Sequence, residues 1–319
     1  MCKAFERYQV KENRETEAKS VPKVWAVGGG KGGIGKSTVS VFLAFWLARM
    51  GKRTILMDVD LGGANLHTLM GIKSPPQTLN DFVTRKIGSL EDICIDTEVN
   101  NLRLISGASE ILSLANPQFA QKVKIIQSIF RLNADYVVLD LGAGTSFNVL
   151  DFFLVAHKRI VVLTPEPTSI QNAYGFVRNA VYRRLSRLSN RNPSLQALVK
   201  IAMDTRNELK VQTIKELFQI IQELSGKDVM EPLQKEIGEI QPAVITNMVE
   251  NPVDKNIGRI IQVVAEKYLM IHPTYLGGIV YDKQIHETIS EMVPLTRLDQ
   301  SSEALACAYE IVVKLLQDQ

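Results

Sequence analysis

The chain has 319 residues, 45% of them hydrophobic, with 37 Lys and Arg against 34 Asp and Glu for a formal charge of +3. That length and apolar content can build a sizeable core, in one large α/β domain or two small ones, but the charge is too small to indicate nucleic-acid binding unless it is concentrated on one face. The three cysteines, Cys2, Cys94 and Cys307, are odd in number, far apart and form no CxxC pair. This argues against a disulfide framework and against a zinc or iron–sulfur site within one chain, and it suits a reducing cytoplasm.

Residues 1–20 are rich in Lys, Arg and Glu. They read as a charged arm rather than a signal peptide, because they lack an apolar centre of the needed length. No stretch approaches the ~20 apolar residues of a membrane span. Regular structure is expected from Lys23. Val24–Val27 is a short apolar run leading into glycines, and Ser37–Met50 is apolar and of helix length. Further strands are expected at Thr54–Met57, Leu102–Ile105, Tyr136–Leu139, Arg159–Leu163, Ala243–Thr246 and Thr274–Ile279. Helices are expected at Gln118–Leu132, Ile170–Leu188, Asn256–Leu269 and Ser302–Leu316. Short unbroken apolar strands alternating with helices predict an α/β fold with a mainly parallel sheet covered on both faces. Residues 190–240 interrupt this rhythm with helical patterns only, at Val211–Leu224 and Val229–Ile237. They read as a helical insertion in a single domain spanning 21–319.

Gly30-Lys31-Gly32-Gly33-Ile34-Gly35-Lys36-Ser37 satisfies G-x-x-x-x-G-K-[ST] between a strand and a helix, the context that pattern requires. Glycines open backbone conformations in which successive N–H groups turn inward on phosphate oxygens. The helix beginning near Lys36 adds its positive N-terminal end. Lys36 is expected on the β- and γ-phosphates and the Ser37 hydroxyl on Mg²⁺. Acids follow two strands at the ends where open α/β sheets bind ligands: Asp58 and Asp60 after Thr54–Met57, and Asp140 after Tyr136–Leu139. Asp140 is placed to hold the metal, with Asp58 beside it, and Asp60 to face the γ-phosphate.

The run Lys31 to Thr38 resembles the deviant phosphate loop of the MinD/ParA ATPases, whose mark is a second lysine just after the first glycine, here Lys31. Asp58-Val59-Asp60-Leu61-Gly62-Gly63-Ala64-Asn65-Leu66 resembles that family's first switch and Asp140-Leu141-Gly142-Ala143-Gly144 its second. Thr164 to Ser169 is similar to the segment near its dimer face. Within the family, "DLGGANLHTLMG" and "PEPTSIQNAYGFVR" resemble the FlhG/FleN branch, MinD-like regulators of flagellar placement and number. The resemblance runs from Lys23 to Leu316 and is weakest in the helical insertion. It implies a P-loop NTPase fold of the SIMIBI type, ATP/ADP and Mg²⁺ as cofactors, and an ATP-dependent homodimer. It also implies a regulatory protein partner at the switch surface.

Residue by residue, the resemblance gives Lys31 and Lys36 the phosphates, Lys31 from the opposite subunit. It gives Ser37 and Asp140 the metal, Thr38 the α-phosphate and Asp60 the attacking water. Asn247 and Asp282 fall in the base-contacting segments, where the family often has proline in place of Val280.

The basic residues Arg178, Arg183, Arg184, Arg187 and Arg191 read as a solvated helix face rather than a DNA or lipid contact. The amphipathic stretch Glu303–Leu316 carries too few cations for an anionic membrane and is expected to dock on the sheet. A cytoplasmic protein, peripheral at the membrane or cell pole when engaged, is the corresponding location. Two other functions share this loop. A DNA-partition ATPase would bind nonspecific DNA with ATP; an iron–sulfur carrier would need cysteines shared across a dimer, and the second switch has none.

Overall fold

The computed structural model describes residues 21–60, 63–107, 119–204, 206 and 210–317. The charged arm expected at 1–20 lies outside the described residues, as do residues 61 and 62 of the first switch. In chain order, β1 (Lys23–Gly28) leads into α1 (Lys36–Arg49), and β2 (Thr54–Asp58) is followed by short helical turns at Leu66–Leu69 and Leu79–Val83. Next come β3 (Ile95–Asp96), β4 (Leu102–Ile105), α2 (Phe119–Ile129), β5 (Tyr136–Asp140), α3 (Phe147–Val155), β6 (Lys158–Leu163) and α4 (Pro167–Leu188). Three helices follow without an intervening strand: α5 (Pro193–Met203), α6 (Ile214–Ser225) and α7 (Lys227–Gly238). The chain closes with β7 (Ala243–Val249), α8 (Arg259–Leu269), β8 (Thr274–Val280), α9 (Lys283–Ser290) and α10 (Glu303–Gln317).

The eight strands form one sheet in the order β3-β4-β2-β5-β1-β6-β7-β8. Every pairing is parallel except β3 with β4. The expected α/β fold is therefore present, with one short antiparallel edge strand added. β3 has only two residues, too few for periodicity to register. β7 continues past Thr246 to Val249 through an irregularity in its pairing with β8, so Asn247 lies within the strand rather than after it.

The central strands are buried along almost their whole length, as expected of a sheet covered on both faces. Alternate residues of β1 divide between two apolar layers. Val24 and Ala26 join the layer formed by α2 to α8, and Trp25 and Val27 join the layer formed by α1 and α10. The helices of 190–240 contribute Leu195, Val199, Ile214, Leu217, Ile221 and Ile237 to the first layer.

Helix α1 is buried on nearly all sides, which explains its uniformly apolar sequence. Its Trp46 indole N–H donates to the Leu305 carbonyl of α10 at 2.9 Å, and the Trp46 ring meets Tyr309 edge to face. The stretch Glu303–Leu316 thus docks on the sheet layer as its pattern implied. Cys94 packs against the first layer and Cys307 against the second. Among the described residues no helix is long and apolar enough to cross a membrane.

The arginine run corrects the sequence reading. Asp151 of α3 is wholly buried, and Arg183 donates to its two carboxylate oxygens at 2.8 and 3.0 Å. Arg187 pairs with it at 2.6 Å, and Lys122 of α2 pairs with it as well. Arg178 donates to the Met203 carbonyl at 3.0 Å, and Arg184 pairs with Glu236. Four of the five arginines therefore tie α4 to neighbouring helices. A buried carboxylate costs too much to leave unpaired, so the cations turn inward to meet it instead of facing solvent.

Candidate functional site

The phosphate loop occupies the turn between β1 and α1. Gly33 and Gly35 have φ of 76° and 78°, left-handed values that favour glycine. Gly35 stands at the N-cap of α1, and no side chain caps the helix there. The first N–H groups of α1 are thus left for another acceptor. A Cβ on Gly30 would come within 2.1 Å of the Asn172 carbonyl of α4. The region around Gly32 and Gly33 is open by contrast, with nothing within 4 Å of an added Cβ. The loop is thus closed behind by α4 and open in front.

Strand order brings the acids to this loop. β5 lies between β1 and β2, with Val27 in register with Asp140 and Asp140 in register with Asp58. Both carboxyls are buried. Asp140 accepts from the Ser40 hydroxyl at 3.0 Å and also from the Ser37 hydroxyl. Asp58 accepts from the backbone N–H of Asp60 at 3.0 Å and of Leu66 at 3.1 Å. Burial pushes Asp58 up to about 7, reinforced by the charge of Asp140. Burial likewise pushes Asp140 up to about 6, against the pull of Ser37, Ser40 and Lys36. Two acids held side by side in this way suit a site that receives a cation.

Lys36 is also buried, and its Nζ donates to the Lys31 carbonyl at 3.3 Å. Burial lowers its pKa, and the charges of Asp140 and Asp60 act the other way. Asp60 is held where a Cβ on Gly142 would fall 3.0 Å from its carboxyl carbon, so the two switch segments touch through this side chain. Ser37 and Thr38 are half-buried at the start of α1, and Lys31 is exposed.

At the far side, the Asn247 amide donates to the Ile34 carbonyl at 3.0 Å, and a Cβ on Gly35 would meet its nitrogen at 2.2 Å. Asn247 therefore braces the phosphate loop, a role that its position in the sequence does not reveal. Asp282 caps α9, accepting from the Gln284 N–H at 2.9 Å and the Ser302 hydroxyl at 2.6 Å. It lines a cleft of about 650 Å³ with Glu250, Asn251 and Tyr281 at the ends of β7 and β8. In the segment after β6, Ser169 Oγ accepts from the Thr164 N–H at 2.9 Å, and the Thr164 hydroxyl donates to Glu166. This fixes the entry to α4, which presses on Gly30.

The structure thus gathers Gly30, Gly32, Gly33, Ile34, Gly35, Lys36, Ser37, Asp58, Asp60, Asp140 and Asn247 around one loop. Lys31 stands on its outer side and Asp282 at the neighbouring cleft. The open cradle at Gly32 and Gly33, the uncapped helix end and the paired acids fit a nucleotide phosphate chain with a divalent cation.

Residues 20–181 match the family model described as ParA: NUBPL iron-transfer P-loop NTPase. The chain is 37% identical to the antiactivator FleN of Pseudomonas aeruginosa over 157 residues, which are 49% of this chain and 55% of that protein. It is 32% identical to the flagellum site-determining protein YlxH of Helicobacter pylori over 160 residues, 48% of this chain and 52% of that one. The chain thus matches about half the length of these curated relatives. In fold it is similar to the septum site-determining protein MinD of Pyrococcus horikoshii, solved in complex with Mg-ADP. That likeness has a TM-score of 0.60 and 19% identity, and covers 92% of this chain and 96% of that one. Because that family model spans half of the chain, the chain belongs to the ParA/MinD family of P-loop NTPases.

Proposed function

We infer that this chain is an ATP-binding and hydrolysing switch that dimerises with ATP and regulates the placement or number of a cellular structure, flagella in the first instance. The observation that carries the reading is the pair of lysines in one loop: Lys36 is buried among acids, while Lys31 five residues earlier faces outward. A lysine with no phosphate-facing role inside its own chain is suited to reach across to a partner.

Each residue has a definable task. Lys36 and the N-terminal N–H groups of α1 receive the β- and γ-phosphates. Ser37 and Asp140 hold Mg²⁺, with Asp58 in register beside Asp140, and Thr38 faces the α-phosphate. The Mg²⁺ that accompanies ATP supplies charge neutralisation on the phosphate chain. Asp60 orients the attacking water, and its contact with Gly142 links the two switch segments, so loss of the γ-phosphate is felt by both. Asn247 holds the loop in shape from the base side, and the cleft beside Asp282 suits the nucleoside.

The relatives' printed roles, as an antiactivator and a flagellum site-determining protein, support the flagellar assignment. Two alternatives fare worse. A DNA-partition role loses its basic face, since most of the arginine run is engaged within the protein. Iron transfer, in the description of the matched family model, calls for thiols brought together. Cys94 and Cys307 pack against opposite layers, and the second switch stretch Asp140–Ser146 carries no cysteine.

Light scattering with ATP and with ADP tests the reading. Wild type is expected to double its mass with ATP only. Lys31→Ala is expected to stay monomeric and to lose at least roughly tenfold in turnover, in the range of a transition-state cation supplied by a partner. A Lys31→Ala protein that dimerises and hydrolyses normally overturns it. For the cellular task, an ATP-locked Asp60→Ala protein is expected to retain a flagellar regulator from its own cells.

A further inference from the structure

Beyond the nucleotide, the described residues hold a second cleft of about 680 Å³ between α3, α4 and α5. Its floor and rim include Phe147, Leu150, Ala197 and Met203, and its polar side chains include Arg183 and Lys200. Among the described residues no acidic side chain lines it. Phe147 is 59% exposed, unusual for a phenylalanine, and the Arg183 guanidinium stands 4.2 Å from its ring centroid. Lys200 of α5 also lines the cleft and is exposed. Arg183 is itself one of three cations, with Arg187 and Lys122, that converge on the single carboxylate of Asp151, so the local charge is positive. An apolar slot whose described charged side chains are all cations is complementary to a chain segment of the opposite character.

We propose that this cleft is the docking site for an acidic peptide segment of a partner protein, with an apolar side chain seated against Phe147 and Leu150 and a carboxylate on Lys200. The cleft also reports the second switch. Thr145 lines it, and Ser146 caps α3 by accepting from the Val149 N–H at 3.4 Å, directly after the segment Asp140–Gly144. Movement of that segment is carried into the position of Phe147, so docking differs between nucleotide states. This last dependence rests on the switch reading above; the site itself does not.

The experiment uses the full chain and three fluorescein-labelled twelve-residue peptides. One alternates Glu with Leu, one alternates Lys with Leu, and one alternates Glu with Ser. Fluorescence anisotropy is expected to show binding of the Glu/Leu peptide alone, weakening with salt as screened charges must. Lys200→Glu, which reverses one rim charge, and Ala197→Trp, which fills the slot from an exposed position, are each expected to weaken it at least tenfold. Both are expected to leave the wild-type rate of ATP hydrolysis and affinity for a fluorescent ATP analogue unchanged. That second readout separates failure of the docking site from failure of the ATPase reading.

Equal binding of the Glu/Leu peptide by wild type and both variants overturns the proposal, as does equal binding of the Glu/Ser peptide. Co-sedimentation with phosphatidylglycerol vesicles that Lys200→Glu abolishes, without any peptide binding, assigns the cleft to lipid and also overturns it.

Discussion

Replacing Asp151 with alanine should be among the most damaging single changes outside the nucleotide site. The carboxylate is fully buried and receives Arg183 twice, Arg187 at 2.6 Å and Lys122. Burial alone would raise its pKa, but the Arg183 hydrogen bonds, the Arg187 charge and Lys122 together hold it below the usual carboxylate range. Removing it leaves three cations facing one another in a partly dry layer. Breaking a buried ion cluster from one side costs about 3–5 kcal/mol, at least roughly a fifth of the ~5–15 kcal/mol that holds a typical domain together.

Urea unfolding at pH 7, followed by circular dichroism, should show that loss as a lower midpoint at unchanged slope. The sign with pH is fixed. A depressed carboxylate pKa contributes stability that is full above the unfolded value near 3.9 and disappears as pH falls through the folded value. The gap between wild type and Asp151→Ala should therefore narrow below pH 4. A loss under about 1 kcal/mol at pH 7, or a gap that stays constant as the pH is lowered, would refute the view that these ion pairs fasten α3 to α4.

Two further outcomes follow from the nucleotide site. Gly30→Ala sets a methyl group against a helix carbonyl that cannot swing aside, so calorimetric titration should find ATP affinity reduced at least tenfold, and normal affinity would show that α4 does not close the loop from behind. The raised acids make the ligand-free protein sensitive to alkali. Asp58 near 7 and Asp140 near 6 keep protons that the unfolded chain releases near 3.9. The stability they contribute is full below about pH 4 and is lost as pH rises through 6 and 7. The melting temperature of ligand-free wild type, measured relative to Asp58→Asn, should therefore drop between pH 5 and 8, and Mg²⁺ with ATP should remove that drop by favouring the charged forms.

The sheet could be read from the chain because its central strands are buried on both faces and therefore appear as unbroken apolar runs. The phosphate loop could be read because its chemistry is local: glycines, a lysine and a serine at fixed spacing between strand and helix. The acids were legible as residues that end strands, but their adjacency was not. It depends on β5 inserting between β1 and β2, a topological fact that no spacing encodes. Helix α5 escaped notice because only Leu195, Val199 and Ala202 mark its buried side, behind a polar entry at Asn192 and Pro193. The role of the arginines was misread for a related reason. The partner of Arg183 and Arg187 is one aspartate inside the apolar run Val149–Phe153, roughly thirty residues away in sequence. A lone acid in such a run, with Arg183 and Arg187 one helical turn apart, was the signal available.

The bond from Trp46 to the carbonyl of Leu305 has a bearing on biosynthesis. Helix α1, whose first turn follows the glycine loop, is backed along its apolar length by α10, 259 residues downstream. A ribosome that has already released both lysines and both strand-end acids has still not released the wall behind them. Until residues 303–317 emerge, α1 lacks the apolar cover that α10 provides. Tryptophan emission from position 46 would time that closure, and nucleotide competence should appear with it.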